Sequence, residues 1–142
     1  MPGCHPLAFF REATEFRNVL LVETPNGDFA DTIVRQFLFS LHAMLVLDQL
    51  QHSTHAELAA IAAKAVKESR YHVRHCGEWI IKLGDGTAES HARAQRALDR
   101  AWRFTGELFE GDEVEARLVT QGIAVDPASV REAWDAQVAE VA

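Results

Sequence analysis

DFADTIVRQFLFSLHAMLVLDQL, residues 28–50, is the stretch that most constrains the fold of this chain. Its apolar residues recur every three or four positions, which is the period of an α-helix. They are Ile33, Val34, Phe37, Leu38, Leu41, Met44 and Leu45. Because Phe39, Val46 and Leu47 widen this face, we expect a central helix over residues 29–51 that is buried on more than one side.

Signals that start and stop helices lie on both sides of this stretch. Pro25-Asn26-Gly27 is a turn signal, and Asp28 after it can cap the central helix. Thr54 with Glu57 three residues later has the pattern of a capping box and predicts a helix over residues 55–83. Lys82 in its last turn and Gly84 beyond it are typical of a helix end.

The second half of the chain predicts three further helices. One is expected over residues 88–109, ending at Gly111, with an inner face of Ala94, Leu98, Ala101, Trp102, Thr105, Leu108 and Phe109. Asp112 can cap a short helix that ends near Gly122, and Asp126-Pro127 has the pattern of a helix start. The last helix carries Val130, Trp134, Val138 and Val141.

No alternating pattern of useful length indicates a β-strand, so the fold class is all-α. Short connections between long helices are typical of antiparallel neighbours in a bundle. Residues 7–22, with Phe9, Phe16, Val19 and Leu20, fit either a helix or a packed extended segment. We interpret residues 1–142 as a single domain.

Composition excludes several classes of partner. The formal net charge of −7 argues against binding to nucleic acid or to an anionic membrane, because both require a basic surface. We find no secretion signal and no stretch of about 18 uninterrupted apolar residues, so we expect a cytoplasmic protein that does not span a membrane. Cys4 and Cys76 lack metal-binding spacing and are expected to be reduced thiols.

Glu68 and His72 interrupt the apolar stripe predicted for the helix over residues 55–83, namely Leu58, Ile61, Ala65, Cys76, Trp79, Ile80 and Leu83. Inward carboxylates and imidazoles hold the metals of di-iron bundles, but those sites need Glu-x-x-His motifs, and none is present. We therefore favour an internal hydrogen-bonded or ion-paired network, with Lys64, Arg70 or a residue of a partner as a further member. His75 could join a mononuclear metal site as the third candidate of this group.

Arg93, Arg96, Arg100 and Arg103 form a stripe along the helix predicted over residues 88–109. Such a stripe could contact an acidic partner or the phosphates of a coenzyme A ester. Pairing of Glu89 with Arg93, and of Asp99 with Arg103, would also explain a solvated face, which we favour. No motif for nucleophilic catalysis or for a nucleotide-binding loop is present, and we assign no catalytic residue.

Four segments of the sequence resemble the family of the C subunit of the multicomponent phenylacetyl-CoA epoxidase, a ring 1,2-epoxidase of phenylacetate degradation. They are NVLLVETPNGDFADTIVRQF (18–37), KAVKESRYHVR (64–74), RAWRFTGELF (100–109) and GIAVDP (122–127). The resemblance runs from about residue 8 to residue 140. It implies a ferritin-like helical bundle.

The resemblance also implies a role. In that family the A subunit carries the di-iron centre, and the C subunit pairs with it and supports it. It therefore implies no cofactor in this chain, a di-iron centre in a partner, and homo- or hetero-oligomers formed through helix faces. Glu68 and His72 would occupy the place where a catalytic relative carries metal ligands.

Members of that family extend beyond this chain at both ends, so we interpret it as a truncated or divergent form whose bundle is incomplete at the N-terminus. The broad face of the central helix would then be exposed and would favour association.

Three functions follow as hypotheses. We favour a non-catalytic structural subunit of a phenylacetyl-CoA epoxidase. One alternative is a divergent ferritin-like metal-dependent oxygenase using Glu68, His72 and His75 with Asp48 or Glu107. The other is a self-associating helical protein without a pathway partner.

Overall fold

The computed structural model describes residues 11–15 and 17–142, and within these ranges all regular structure is helical. The α-helices are α1 (Leu20–Glu23), α2 (Phe29–Leu50), α3 (Ala56–Asp85), α4 (Ala88–Trp102), α5 (Glu113–Thr120) and α6 (Arg131–Val141). Short 3-10 turns span Ala13–Glu15, Gly106–Phe109 and Pro127–Val130. The all-α prediction is confirmed. Phe9 and Phe16, which belonged to the segment predicted as helical or extended, lie outside the described residues.

Helix α2 is the centre of the bundle, as predicted. The Asp28 carboxylate accepts a hydrogen bond from the Asp31 backbone N–H at 2.9 Å, and the Asp31 carboxylate accepts one from the Asp28 N–H at 3.1 Å. This capping box satisfies two N–H groups that the first turn cannot pair internally. The buried residues of α2 are Ala30, Ile33, Val34, Phe37, Leu38, Ser40 and Leu41.

Among the described residues, α2 is the one helix whose length and apolar composition would allow it to cross a membrane. Helices α3, α4 and α6 pack against it. An apolar face covered by other helices is also what a core helix of a bundle requires. Its composition is therefore weak evidence for a membrane span.

Helix α3 does not begin as predicted. Its N-cap is His55, whose Nδ1 accepts a hydrogen bond from the Leu58 N–H at 3.3 Å. The predicted capping box of Thr54 and Glu57 is absent, because Thr54 Oγ1 donates to the Gln121 carbonyl at 3.1 Å instead. A tertiary contact with the segment after α5 has replaced the local cap.

The predicted end of α3 at Gly84 is also wrong, since the helix continues to Asp85 and its C-cap Gly86 has a negative φ of −77°. Ser90 Oγ donates to the Leu83 carbonyl at 2.6 Å, so this carbonyl is satisfied by the start of α4. No glycine in the left-handed conformation is then needed to close α3.

The helix predicted over residues 88–109 is divided in two. Helix α4 ends at Trp102, and Thr105 Oγ1 donates to the Trp102 carbonyl at 2.8 Å before the 3-10 turn begins. Thr105, Leu108 and Phe109 are buried as predicted, whereas Trp102 is 46% exposed. Because the helix is interrupted after Trp102, a single helical period does not describe the inner faces of α4 and of the 3-10 turn that follows it.

The C-terminal elements begin where the sequence predicts. The Asp112 carboxylate accepts a hydrogen bond from the Glu115 N–H at 2.8 Å, and that of Asp126 accepts one from the Ala128 N–H at 3.1 Å. Helix α6 packs on α2 and α3 and buries Trp134 and Val138. The core thus lies between α2, α3 and α6, with α4 along one side.

Candidate functional site

Glu68 and His72 lie on the outer surface of α3. Their Oε1 and Nε2 atoms are 3.6 Å apart, and the Glu68 side chain is 79% exposed. His75 stacks on the exposed ring of Tyr71 with a centroid distance of 6.0 Å. With the Glu68 side chain this exposed, the pair is a surface contact that contributes at most about 0–1 kcal/mol.

Their predicted place on an inward stripe of α3 is wrong. The buried residues of α3 are Ala62, Val66, Cys76 and Gly77, and the predicted core residue Ile61 is 52% exposed. Small residues face α2 here because large side chains of α2, such as Phe37, fill the interface. The predicted stripe is right at Cys76, Trp79, Ile80 and Leu83, which are buried or pack against the core, and wrong at Ile61 and at the Glu68–His72 pair.

The other groups named for a metal site are engaged elsewhere. Asp48 Oδ1 accepts a hydrogen bond from Arg70 Nη2 at 2.9 Å, and Glu107 Oε2 accepts one from the Leu20 N–H at 2.9 Å. Among the residues that the structure describes, no three His, Cys, Asp or Glu side chains lie close enough together to hold a metal ion. This donor set does not fit a di-iron centre, which requires several converging carboxylates and imidazoles.

One titratable group in the interior was missed by the sequence reasoning. His42 on α2 packs between the rings of Phe39 and Phe109, at centroid distances of 6.4 and 5.9 Å. Its Nε2 is buried and has no hydrogen-bond partner among the residues that the structure describes. Burial lowers the pKa of His42, and the backbone of Leu108 offsets this in part. A histidine in the most apolar helix was the available signal.

The arginine stripe of α4 is divided between different surroundings. Arg93 Nη2 donates to Glu89 Oε1 at 2.7 Å, as predicted, and Arg93 Nη1 lies 3.7 Å from Asp28 Oδ2. The predicted pairing of Asp99 with Arg103 is absent, because the Asp99 carboxylate accepts a hydrogen bond from Gln95. Arg96 is exposed. The four residues therefore do not act as one face.

Arg100 and Arg103 instead line a cavity of about 340 Å³ between the end of α4, the start of α2 and the loop before it. Arg35 of α2 is the third arginine there, and Asp31 is the carboxylate. The remaining lining residues are Thr24, Pro25, Gly27, Ala97, Ala101 and Phe104. We call this cavity the arginine pocket. Sequence reasoning missed Arg35, because no local pattern connects it with α4.

A second cavity, of about 200 Å³, is mainly apolar. It lies among α2, α3, α4 and α6 and is lined by Val34, Leu38, Ile80, Leu98 and Val138, among others. Asp85 and His91 are its titratable lining residues. We regard it as a gap between helices, since few polar groups there could orient a ligand.

Several large apolar side chains are exposed, at 46–55% of their surface: Leu20, Phe29, Ile61, Tyr71, Ile81, Trp102 and Val114. Ile61, Tyr71 and Ile81 lie along α3. Because they are ten residues apart, they lie about 15 Å apart along the helix and on different sides of it, so they do not form one continuous apolar patch.

Comparison with known proteins adds an independent finding. The family described as phenylacetic acid catabolic protein matches residues 4–142. The chain is similar to the C subunit of the 1,2-phenylacetyl-CoA epoxidase of Escherichia coli (strain K12), with 48% identity over 132 residues. That alignment covers 93% of this chain and 53% of the relative, so the chain spans about half the length of the curated relative that it matches.

Proposed function

The chain belongs to the phenylacetic acid catabolic protein family, and from this premise we propose that it is a non-catalytic structural subunit of a phenylacetyl-CoA epoxidase. In this role it pairs through helix faces with a catalytic subunit that carries the di-iron centre. The complex acts in aerobic degradation of phenylacetate in the cytoplasm, where a buried free thiol such as Cys76 stays reduced.

The observation that carries the proposal is the similarity to a protein named as a subunit, 48% identical over nearly the whole of this chain. At this identity the matched part of the relative shares the fold of this chain, which supports an assembly role for the helix faces that the two have in common. Exposed apolar side chains on several helices, such as Phe29 of α2 and Tyr71 of α3, are candidates for such contacts. We propose that these helix faces contact the catalytic subunit.

The chemistry of the side chains supports a non-catalytic role. Di-iron oxygen chemistry requires carboxylates and imidazoles that converge on two metals. In the described part of this chain Glu68 and His72 pair on the surface, while Asp48 and Glu107 bind other groups. We therefore assign oxygen activation to the partner.

The test compares the purified chain alone with the chain mixed with the catalytic subunit of the same organism. We expect less than about a tenth of an iron per chain for the isolated protein. We also expect no oxidation of phenylacetyl-CoA by the chain and a reductase alone, and co-elution with the catalytic subunit in size-exclusion chromatography. Substituting His72→Ala should leave co-elution and iron content unchanged.

Turnover of phenylacetyl-CoA by the isolated chain with a reductase would contradict the proposal. So would a stoichiometric metal that is lost on His72→Ala, because this result would identify the chain as a metal-dependent oxygenase. Absence of co-elution at micromolar concentrations would contradict the pairing.

A further inference from the structure

The arginine pocket has an excess of positive charge in an acidic protein. Arg35, Arg100 and Arg103 line it together with one carboxylate, that of Asp31, so its formal charge is +2 in a chain of −7. Like charges held around one cavity repel each other, and a bound anion relieves this repulsion.

Two of the three arginines keep donors available for a ligand. Arg100 Nη2 donates to Asp31 Oδ1 at 2.6 Å, which uses one of the five N–H groups of a guanidinium. Arg103 lies over the ring of Phe104, 5.8 Å from its centroid, and is exposed. Guanidinium groups of this kind bind phosphate through paired hydrogen bonds.

Arg35 stabilises one wall of the pocket through hydrogen bonds to the loop before α2. Its Nη1 donates to the Thr24 carbonyl at 2.7 Å, and its Nη2 donates to Asn26 Oδ1 at 2.8 Å. These bonds hold the loop before α2 as one wall of the pocket. The wall is therefore formed before a ligand arrives, and less ordering is needed on binding.

The ends of the neighbouring helices do not remove the positive charge. Arg100 lies in the last turn of α4, whose C-terminus carries about half a negative charge. Asp31 lies in the first turn of α2, whose N-terminus carries about half a positive charge. These contributions largely cancel, and the excess from the arginines remains.

The other residues that line the pocket indicate which chemical group is linked to the anion. Ala97, Ala101 and Phe104 form an apolar side, and Phe104 is the aromatic ring of the pocket. A cavity of about 340 Å³ is within the usual range of small-molecule sites, roughly 300–1,000 Å³. An aromatic ring beside guanidinium groups suits a planar base linked to phosphate.

We propose that the arginine pocket binds an organic phosphate with a planar aromatic base, the chemistry of an adenine nucleotide, with Arg100 and Arg103 on the phosphate and Phe104 against the base. A free nucleotide and the nucleotide part of a coenzyme A ester share this chemistry. The site depends on its own charges and shape, so it stands whether or not the chain is an epoxidase subunit.

The test is isothermal titration calorimetry of the whole chain at low salt with coenzyme A, adenosine 5′-monophosphate, inorganic phosphate and adenosine. Arg103→Gln is the main variant, because Arg103 holds no loop and no carboxylate in the described structure. Arg96→Gln is its matched control, because Arg96 is an exposed arginine of α4 that lies outside the pocket.

We expect both nucleotides to bind the native chain, and Arg103→Gln to weaken this binding roughly tenfold or more, as for loss of a charge-assisted hydrogen bond. Arg96→Gln should change the dissociation constant less than about twofold. Phe104→Leu should weaken adenosine 5′-monophosphate binding and leave inorganic phosphate binding unchanged.

Absence of nucleotide binding at millimolar concentrations would overturn the proposal. Equal weakening by Arg103→Gln and Arg96→Gln would also overturn it, since that result indicates diffuse attraction to the surface. Tighter binding of coenzyme A than of adenosine 5′-monophosphate would support the site with a coenzyme A ester as the source, and equal binding would support it with free nucleotides.

Discussion

The imidazole of His42 is a titratable group whose burial opposes its protonation. Its ring lies between two phenylalanine rings, and within residues 11–15 and 17–142 its Nε2 has no hydrogen-bond partner. Desolvation disfavours the charged imidazolium, so burial lowers the pKa of His42 in the folded state. The folded chain therefore holds this histidine neutral at pH values where the unfolded chain would protonate it.

The first prediction concerns stability below neutral pH. The unfolded state binds the proton at about pH 6.5 and the folded state only at lower pH, so this contribution to the free energy of unfolding is complete above about pH 6.5 and decreases as the pH falls. Each unit of difference in pKa corresponds to about 1.4 kcal/mol. Urea unfolding at about pH 5.5 and about pH 7.5 should show this loss in the native chain.

His42→Phe should reduce the difference in unfolding free energy between the two pH values, because the aromatic contacts remain while the titrating group is removed. His52→Gln is the control, since His52 is exposed on the loop after α2. An unchanged pH dependence in His42→Phe would show that other groups account for the effect.

At the scale of the elements, small residues such as Ala62, Cys76 and Gly77 form the buried side of α3. Gly77 is buried in α3, where a Cβ atom would lie 3.5 Å from Phe37 Cε2 and 3.8 Å from Val141 Cγ2. These distances are ordinary van der Waals contacts. Space for one methyl group therefore exists in the interface, although the residue there is glycine.

Gly77→Ala is accordingly expected to stabilise the protein by about 0.5–1 kcal/mol, because alanine loses less backbone entropy in a helix and adds contact with Phe37. The measurement is the midpoint of urea unfolding followed by circular dichroism. Gly27→Ala is the opposite control, since Gly27 has a φ of +57° and a Cβ there would overlap the Asp31 side chain. Destabilisation by Gly77→Ala would mean that the interface has no such space.

At the scale of the whole molecule, Trp134 connects parts of the chain that are distant in sequence. It is 1% exposed, and its Nε1 donates to the Leu38 carbonyl at 3.0 Å. Its ring meets that of Phe109 edge to face, with centroids 5.2 Å apart. The C-terminal helix, the turn after α4 and the central helix therefore share one contact.

Trp134→Phe should destabilise the protein by about 1–3 kcal/mol, through a lost buried hydrogen bond and a cavity. Trp102→Phe should cost less than about 0.5 kcal/mol, because Trp102 is half-exposed. Thermal unfolding of both variants, followed by circular dichroism, provides the comparison. A single transition would agree with the prediction of one domain, whereas two transitions would contradict it.

The helices and most of their boundaries could be predicted from the sequence, because caps and apolar periodicity are local signals. The family could be predicted from four short segments that resemble it. Asp28, Asp112 and Asp126 cap helices through bonds to residues two or three positions later. Apolar periodicity likewise identified α2 and the buried Trp134 and Val138 of α6. The family match and the helical bundle confirm the resemblance and the ferritin-like fold class.

Features that depend on competition between distant segments required the tertiary structure. The Thr54 hydroxyl donates to the Gln121 carbonyl, 67 positions away, and does not cap α3 as predicted. The surface position of Glu68 depended on which residues of α3 approach α2 most closely. Arg35 and Arg100 meet in one pocket although 65 positions separate them. A helical period reports neighbours within about four residues, so it contains no information on which helices meet or on which charges their packing brings together.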